Sequence, residues 1–262
     1  MLFQSIRRLA NTANERNRLG VKQRLDVYLS AKKLAQSRSQ AENLIKLGQV
    51  RVDGVMVTKP GLIVGDHTEI RIASDERYVS RAGLKLASVA AVLKLDFNNK
   101  VVLDVGSSTG GFTDYALKHG AKKVFAVDVG TDQLHPTLRR HPKINLYEKT
   151  DIRDFVPKTT PDIVVIDVSF ISLRDILPHI ARLSTTTTQI VAMVKPQFEA
   201  GKHQVHKGVI KNNAQRRDIL KEFELWAKQY FVAIDKKDSE ISGAKGNTER
   251  FYLLNVLSSR PS

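Results

Sequence analysis

The sequence predicts an α/β chain in which a mostly parallel seven-stranded sheet, its last strand antiparallel, carries helices on both faces and follows a small α+β unit. Three observations lead there. From residue 100 onward, short apolar, β-branched runs recur at 100–105, 122–128, 143–148, 162–167 and 189–194, each followed by a polar or helical stretch. This is the pattern of βαβ units around a parallel sheet buried on both faces. Residues 22–73 read instead as two helices and then short strands. Finally, the first apolar run ends in a glycine-rich turn that opens a helix, the junction at which open α/β sheets hold ligands.

Composition sets the outer limits. The chain has 262 residues, 42% of them hydrophobic, enough for a real core. It contains no Cys, which excludes a disulfide framework, thiolate zinc sites and a cysteine nucleophile, and suits a reducing cytoplasm. No run of about 18 apolar residues occurs, so no membrane-spanning helix is expected. With 42 Lys and Arg against 27 Asp and Glu, the formal charge is +15, which favours polyanionic partners. The excess is spread over the chain: residues 22–80 hold ten basic and seven acidic side chains, and residues 81–262 twenty-eight and nineteen. Residues 1–21, with four Arg and one Glu, read as a basic extension. His203 and His206 lack carboxylate partners at ligand spacing, so no metal site is expected.

In the small unit, Leu25, Val27, Leu29 and Leu34 lead to Ser39, read as an N-cap. Ala41, Leu44, Ile45 and Leu47 then keep a helical period up to Gly48. Val50-Arg51-Val52, an Asp53-Gly54 turn and Val55-Met56-Val57 predict a hairpin, closed by Pro60-Gly61 and a last strand at 68–72. The run RLDVYLSAKKLAQSRSQAENLIKLGQVRVDGVMVTKPGLIV resembles the S4 RNA-binding domain along nearly its full length, with Ser37-Arg38, Leu-Ile-Lys-Leu-Gly and Val-Asp-Gly in register. The resemblance implies that Arg38, Lys46 and Arg51 lie on an RNA backbone. Residues 74–84, poor in apolar positions, read as a linker that adds Arg81 to the RNA-facing cations, before a helix opened by Lys85.

The glycine-rich turn runs Asp104-Val105-Gly106-Ser107-Ser108-Thr109-Gly110-Gly111-Phe112, with a helical segment at 113–119. Glycines there let a ligand approach the backbone and leave amides free at a helix N-terminus. A P-loop would need Gly-Lys-Ser/Thr and a dinucleotide fingerprint Gly-x-Gly-x-x-Gly; the spacing fits neither. Asp128, 22 residues beyond Gly106, closes the next strand, where a carboxylate reaches the ribose hydroxyls of a nucleoside. Loop and acid together read as a nucleoside site. Here the sequence resembles the S-adenosylmethionine-dependent methyltransferases of the Rossmann-like class. That resemblance implies contacts from Asp104, Gly106, Gly110 and Gly111 to the methionine part of S-adenosyl-L-methionine, from Asp128 to its ribose, and from Asp151 to the adenine region. Ser107, Ser108, Phe112, Val129 and Ile152 complete the implied cofactor set.

Charged residues at the carboxyl ends of parallel strands face the ligand crevice. Asp167 ends the 162–167 run, and Lys195 follows the 189–194 run just before Pro196. Two further strands are expected at 231–236 and 250–257. If the last runs antiparallel, its beginning, marked by Glu249, lies at the same edge. Lys85 closes the set. Two lysines and two carboxylates lack the Ser–His order of a hydrolase and suit removal of a proton from a hydroxyl. A lysine serves as base only where burial or a neighbouring cation favours its neutral form, a part assigned to Lys85. Phe112, Phe170 and Phe198 follow these motifs and are candidates for stacking on a base or, equally, for core packing.

The order Lys85, Asp167, Lys195, Glu249 resembles the K-D-K-E tetrad of ribose 2′-O-methyltransferases of the FtsJ type. With VSRAGLKL, LDVGSSTGGFTD, DVSFISL, VKPQFE and GNTERF behind an S4-like unit, residues 22–257 resemble the TlyA family, whose members, often named hemolysins, methylate cytidine 2′-hydroxyls in ribosomal RNA. The resemblance implies Lys195 as the base and in-line displacement on the sulfonium methyl. It also implies ribosomal RNA or ribosomal subunits as the partner, and a cytoplasmic location. Residues 1–21 have no place in the family pattern, and the chain ends soon after its last strand, which favours the large subunit, with the small subunit as a further substrate left open. Three other readings stay in view. A pseudouridine synthase with an S4 module needs no glycine loop, a binding protein without catalysis is expected to lack part of the tetrad, and a pore-forming hemolysin needs membrane-spanning or strongly amphipathic segments.

Overall fold

The computed structural model describes residues 22–35, 37–46, 48–72, 77–201, 209–210, 212–243 and 246–258. The chain divides into two compact units, one ending at Ala73 and the other beginning at Ser74. The basic extension, His203 and His206 lie outside the described residues.

In the first unit, β1 (Gln23–Arg24), α1 (Leu25–Ala31) and α2 (Arg38–Lys46) precede β2 (Val50–Val52), β3 (Val55–Val57), β4 (Ile63–Val64) and β5 (Ile70–Ile72). Strand β2 is central, antiparallel to β3 on one side and to β5 on the other, while β1 pairs with β4. The β2–β3 turn places Asp53 at φ 48° and Gly54 at φ 78°, both left-handed, as a two-residue hairpin turn matched to strand twist requires. Leu25, Leu29, Ala41, Leu44, Ile45, Val50 and Val64 close the core. The helix cap differs from the expectation: Ser37, not Ser39, stands before α2, and its Oγ accepts the Gln40 amide at 3.0 Å. A serine at the third place before a free amide is the better cap geometrically, and Ser39 falls one residue inside the helix.

The second unit runs α3 (Arg81–Ala90), β6 (Val101–Val105), α4 (Gly111–Lys118), β7 (Lys123–Val127), α5 (Pro136–Arg139), β8 (Ile144–Tyr147) and β9 (Ile163–Ile166). It continues with α6 (Leu177–Leu183), β10 (Gln189–Val194), α7 (Pro196–Glu199), α8 (Asn213–Ala227), β11 (Phe231–Asp238) and β12 (Arg250–Val256). The sheet order is β11-β12-β10-β9-β6-β7-β8. Pairs among β6 to β10 are parallel, and β12 is antiparallel to both neighbours. Alternate residues of each strand feed opposite layers. Leu103, Val105, Val164 and Ile166 pack with Leu177, Ile180, Leu220 and Phe223 of α6 and α8. Val102, Val165, Val191 and Phe251 pack with Leu86, Val89, Phe112 and Tyr115 of α3 and α4.

Register fixes the functional edge. Val105 pairs with Val127 and with Ile166, and Val194 pairs with Arg250. Gly106, Asp128, Asp167, Lys195 and Glu249, each one residue beyond, therefore share one end of the sheet. The start of α3 departs from the expectation that Lys85 opens the helix. It begins at Arg81, so Lys85 sits a full turn inside. The segment before it is packed: the Val79 amide donates to Asp114 Oδ2 at 2.9 Å, and the Tyr78 ring lies 5.5 Å from that of Tyr115. Apolar counting missed this because Tyr78 and a backbone amide, not a hydrophobic run, make the contacts.

Candidate active site

The glycine turn is shaped by steric need. Gly106 has φ +78°, and a Cβ there would meet the Asp167 carbonyl oxygen at 2.7 Å. Only glycine lets the loop press against the end of β9. The Gly106 and Ser107 amides donate to the Val127 carbonyl at 2.9 and 3.1 Å, which hooks the turn over β7. Beneath it, Asp104 is buried; one oxygen accepts from Thr113 Oγ1 at 2.6 Å. Its Oδ1, like Ser107 Oγ, is buried with no hydrogen-bond partner among the described residues. Burial raises Asp104 to about 7, opposed by the Thr113 bond and reinforced by the charges of Asp167 and Asp128.

Asp128 is likewise raised by burial, against the pull of the Gly130 and Ser108 amides, which reach its two oxygens at 2.7 and 2.8 Å. Val129 beside it is 70% exposed. Asp151 differs: the Arg153 guanidinium binds both its oxygens, at 3.0 and 2.6 Å, and holds it below the usual carboxylate range. Ile152 turns its side chain into the core. So does Phe112, which is 2% exposed with its ring 6.1 Å from that of Phe251. Of the two roles open to Phe112, core packing is the one the structure shows: its place in the first turn of α4 aims the ring into the core, and its main chain faces the loop.

The four strand-edge residues come together as two ion pairs. Lys195 Nζ lies 2.5 Å from Asp167 Oδ1, and Lys85 Nζ 2.5 Å from Glu249 Oε2. Side-chain exposures are 7% and 17% in the first pair and 12% and 3% in the second, so both are shielded from water. Lys195 also donates to Ser169 Oγ at 2.7 Å. Ser169 escaped sequence reasoning; its one signal is its place two residues after a strand-end acid. Glu199 escaped it too. Its buried carboxylate accepts the Leu173 amide at 2.7 Å and the Ser172 hydroxyl at 2.6 Å, tying α7 to the loop after β9. Burial raises its affinity for a proton against those bonds. On that loop Phe170 has φ +70°, is 66% exposed and stands 5.4 Å from the Phe198 ring.

The expected RNA-facing cations are engaged to different degrees. Arg38 Nε donates at 2.9 Å to Asp26 Oδ2, a fully buried side chain that Arg24 also binds at both oxygens. Arg24 first, then Arg38, pull Asp26 down to about 2 against burial. Arg38 therefore holds the first unit together as well as presenting charge. Lys46 pairs with Glu42 at 3.3 Å, and Arg51 is exposed, donating to the Gly54 carbonyl at 2.8 Å. Arg81, in the second unit, donates to the Ser242 carbonyl at 3.2 Å. Among the described residues no helix is long and apolar enough to cross a membrane, and no group of acids and histidines is placed to hold a metal ion.

Residues 78–256 match the FtsJ-like methyltransferase family and residues 23–70 the S4 domain. The chain belongs to the FtsJ-like methyltransferase family. Among its FtsJ-like relatives, the 16S/23S rRNA (cytidine-2′-O)-methyltransferase TlyA of Mycobacterium tuberculosis is 36% identical over 244 residues, 90% of this chain and 91% of that protein. Hemolysin A of Brachyspira hyodysenteriae is 39% identical over 240 residues, 89% of this chain and 99% of that protein. A solved structure from Streptococcus thermophilus that carries the hemolysin name matches with a TM-score of 0.69 at 37% identity, covering 91% of this chain and 90% of that one. The S4 domain followed by an FtsJ-like methyltransferase places the chain in the TlyA group.

Proposed function

We propose that this chain transfers the methyl group of S-adenosylmethionine to a cytidine ribose 2′-hydroxyl in ribosomal RNA, working where ribosomes are, in the cytoplasm. The observation that carries the reading is the pair of shielded lysine–carboxylate contacts at the sheet edge, beside a glycine turn lined by acids. Asp104, Asp128 and Asp167 crowd one another, and burial together with those like charges raises the Asp104 carboxyl to about 7. A sulfonium that also bears an ammonium group offsets that crowding. Gly106, Ser107, Ser108, Gly110 and Gly111 form the turn that would hold its amino-acid end, Asp128 its ribose hydroxyls, and Val129 and the Asp151–Ile152 segment its base. Bound there, the cofactor supplies an electrophilic methyl and leaves as S-adenosylhomocysteine.

The chain's own residues supply the proton transfer. Lys195, as neutral amine, takes the 2′-hydroxyl proton, and Asp167 holds the resulting ammonium at 2.5 Å. The Lys85–Glu249 pair stands beside that contact at the end of the adjacent strand. The exposed Phe170 offers a face for the target base. Arg38, Lys46 and Arg51 of the S4 domain, with Arg81, supply phosphate contacts; large-subunit RNA is the first substrate to try, as a purified particle and as free RNA. The test is transfer of labelled methyl to subunits lacking the modification, with wild type and Lys195→Ala side by side. Label on a ribose 2′-oxygen with wild type alone is the expected result, and equal turnover by the variant would remove Lys195 from the mechanism.

A further inference from the structure

We propose that Ser169 is a positioning residue that aims the Lys195 amine. The inference rests on the reading of Lys195 as the base and goes beyond it by naming what sets the direction of its lone pair. An amine nitrogen carries three directions besides its Cε bond. Lys195 Nζ lies 2.5 Å from Asp167 Oδ1 and donates along one of those directions to Ser169 Oγ at 2.7 Å. The Ser169 contact is the hydrogen bond; Asp167 Oδ1 approaches closely but accepts no aligned N–H, so in the neutral amine Ser169 Oγ fixes one N–H direction and Asp167 supplies charge. Asp167 alone, close but unaligned, would not fix which of the three directions the lone pair takes. The bond to Ser169 excludes the setting that points the lone pair at the hydroxyl, and the Asp167 charge disfavours the one that points it at the carboxylate.

Ser169 is held where this requires it to be. The loop after β9 and the segment after β10 are tied at successive points: Lys195 to Asp167 and Ser169, Phe198 to Phe170 with ring centroids 5.4 Å apart, and Glu199 to the Ser172 hydroxyl and Leu173 amide. The hydroxyl thus sits between a strand end and a pinned turn. The other charges facing this nitrogen are those of the Lys85–Glu249 pair, brought alongside by the pairing of Val194 with Arg250. They belong to a separate contact and do not substitute for Ser169.

The experiment compares wild type, Ser169→Ala, Ser169→Thr and Lys195→Ala as full chains in labelled methyl transfer to unmodified ribosomal subunits across pH. For Ser169→Ala we expect kcat to fall by about tenfold, the size of one lost hydrogen bond. The Michaelis constants for subunits and for S-adenosylmethionine stay unchanged, and Ser169→Thr restores the rate. Loss of an acceptor that favours the ammonium also moves the rising limb of the pH–rate profile toward lower pH. The variant is then slower although more of its amine is neutral, a combination that mere loss of folded protein does not give. Wild-type kcat with an unmoved profile in Ser169→Ala would overturn the inference, as would a loss of rate that Ser169→Thr does not restore. If Lys195→Ala turned over normally, the reading of the base would fail instead.

Discussion

Replacing Glu249 tests whether the second ion pair serves structure, chemistry or both. Its partner, the Lys85 ammonium, is 12% exposed and lies 2.5 Å away, with Glu249 itself 3% exposed. Glu249→Ala leaves that charge buried and unpaired, which costs about 3–5 kcal/mol, whereas exchanging both partners for apolar side chains of similar size is close to neutral. For a unit of this length the single change should lower Tm by about 10 °C. The double variant Lys85→Met with Glu249→Leu should recover most of that loss, a non-additivity of about 2 kcal/mol or more. Thermal unfolding followed by circular dichroism reads the stability, and labelled methyl transfer, run below the lowest Tm, reads the chemistry. The double variant is expected to be stable and inactive. An unchanged Tm in Glu249→Ala would refute the buried pair, and wild-type turnover in the double variant would remove it from function.

Asp104, raised to about 7 by burial, favours the fold when protonated, so its share of stability is present at low pH and is lost as pH climbs from about 4 toward about 7. Asp104→Asn should flatten Tm over that window; an unaltered slope would show that another group sets it. Gly106→Ala puts a methyl 2.7 Å from the Asp167 carbonyl oxygen at φ +78°, and calorimetry should find S-adenosylmethionine affinity reduced by tenfold or more, about 1.4 kcal/mol, where undiminished binding would contradict the assigned loop. Arg51→Glu should weaken RNA binding and reduce its salt dependence without altering cofactor affinity. Arg38→Glu is the poorer probe, because it also sets a carboxylate against buried Asp26.

Strand-level periodicity made the large sheet legible. Runs such as 100–105 and 162–167 are apolar on both faces, and no alternative element buries them. The placing of Asp167, Lys195 and Glu249 at one edge followed from strand polarity alone, because β12 runs antiparallel and so begins where β10 ends. What stayed hidden depended on contacts rather than pattern. The early start of α3 rests on an amide–carboxylate bond between Val79 and Asp114. The cap at Ser37 rests on one oxygen's reach to the Gln40 amide. The pairing of β1 with β4 joins two two-residue strands too short to show a period. Ser169 and Glu199 act through loop geometry, which has no repeat to read.

The charge of Asp167 is felt in two places. It neutralises Lys195 across 2.5 Å, and its negative charge also raises the proton affinity of both Asp104 and Asp128 under the glycine turn. Its backbone carbonyl, in addition, is the wall against which Gly106 closes. Asp167→Asn therefore removes the counter-ion of the base and, in the same stroke, eases ionisation of the acids on the cofactor side. A rate loss in that variant cannot be assigned to Lys195 alone. The separation comes from measuring S-adenosylmethionine affinity against pH: if Asp167 loads Asp104, the pH at which affinity rises moves down in Asp167→Asn, while Ser169→Ala, which touches only the amine, leaves it in place. Coincident curves for wild type and Asp167→Asn would show that the acids under the turn do not sense this charge.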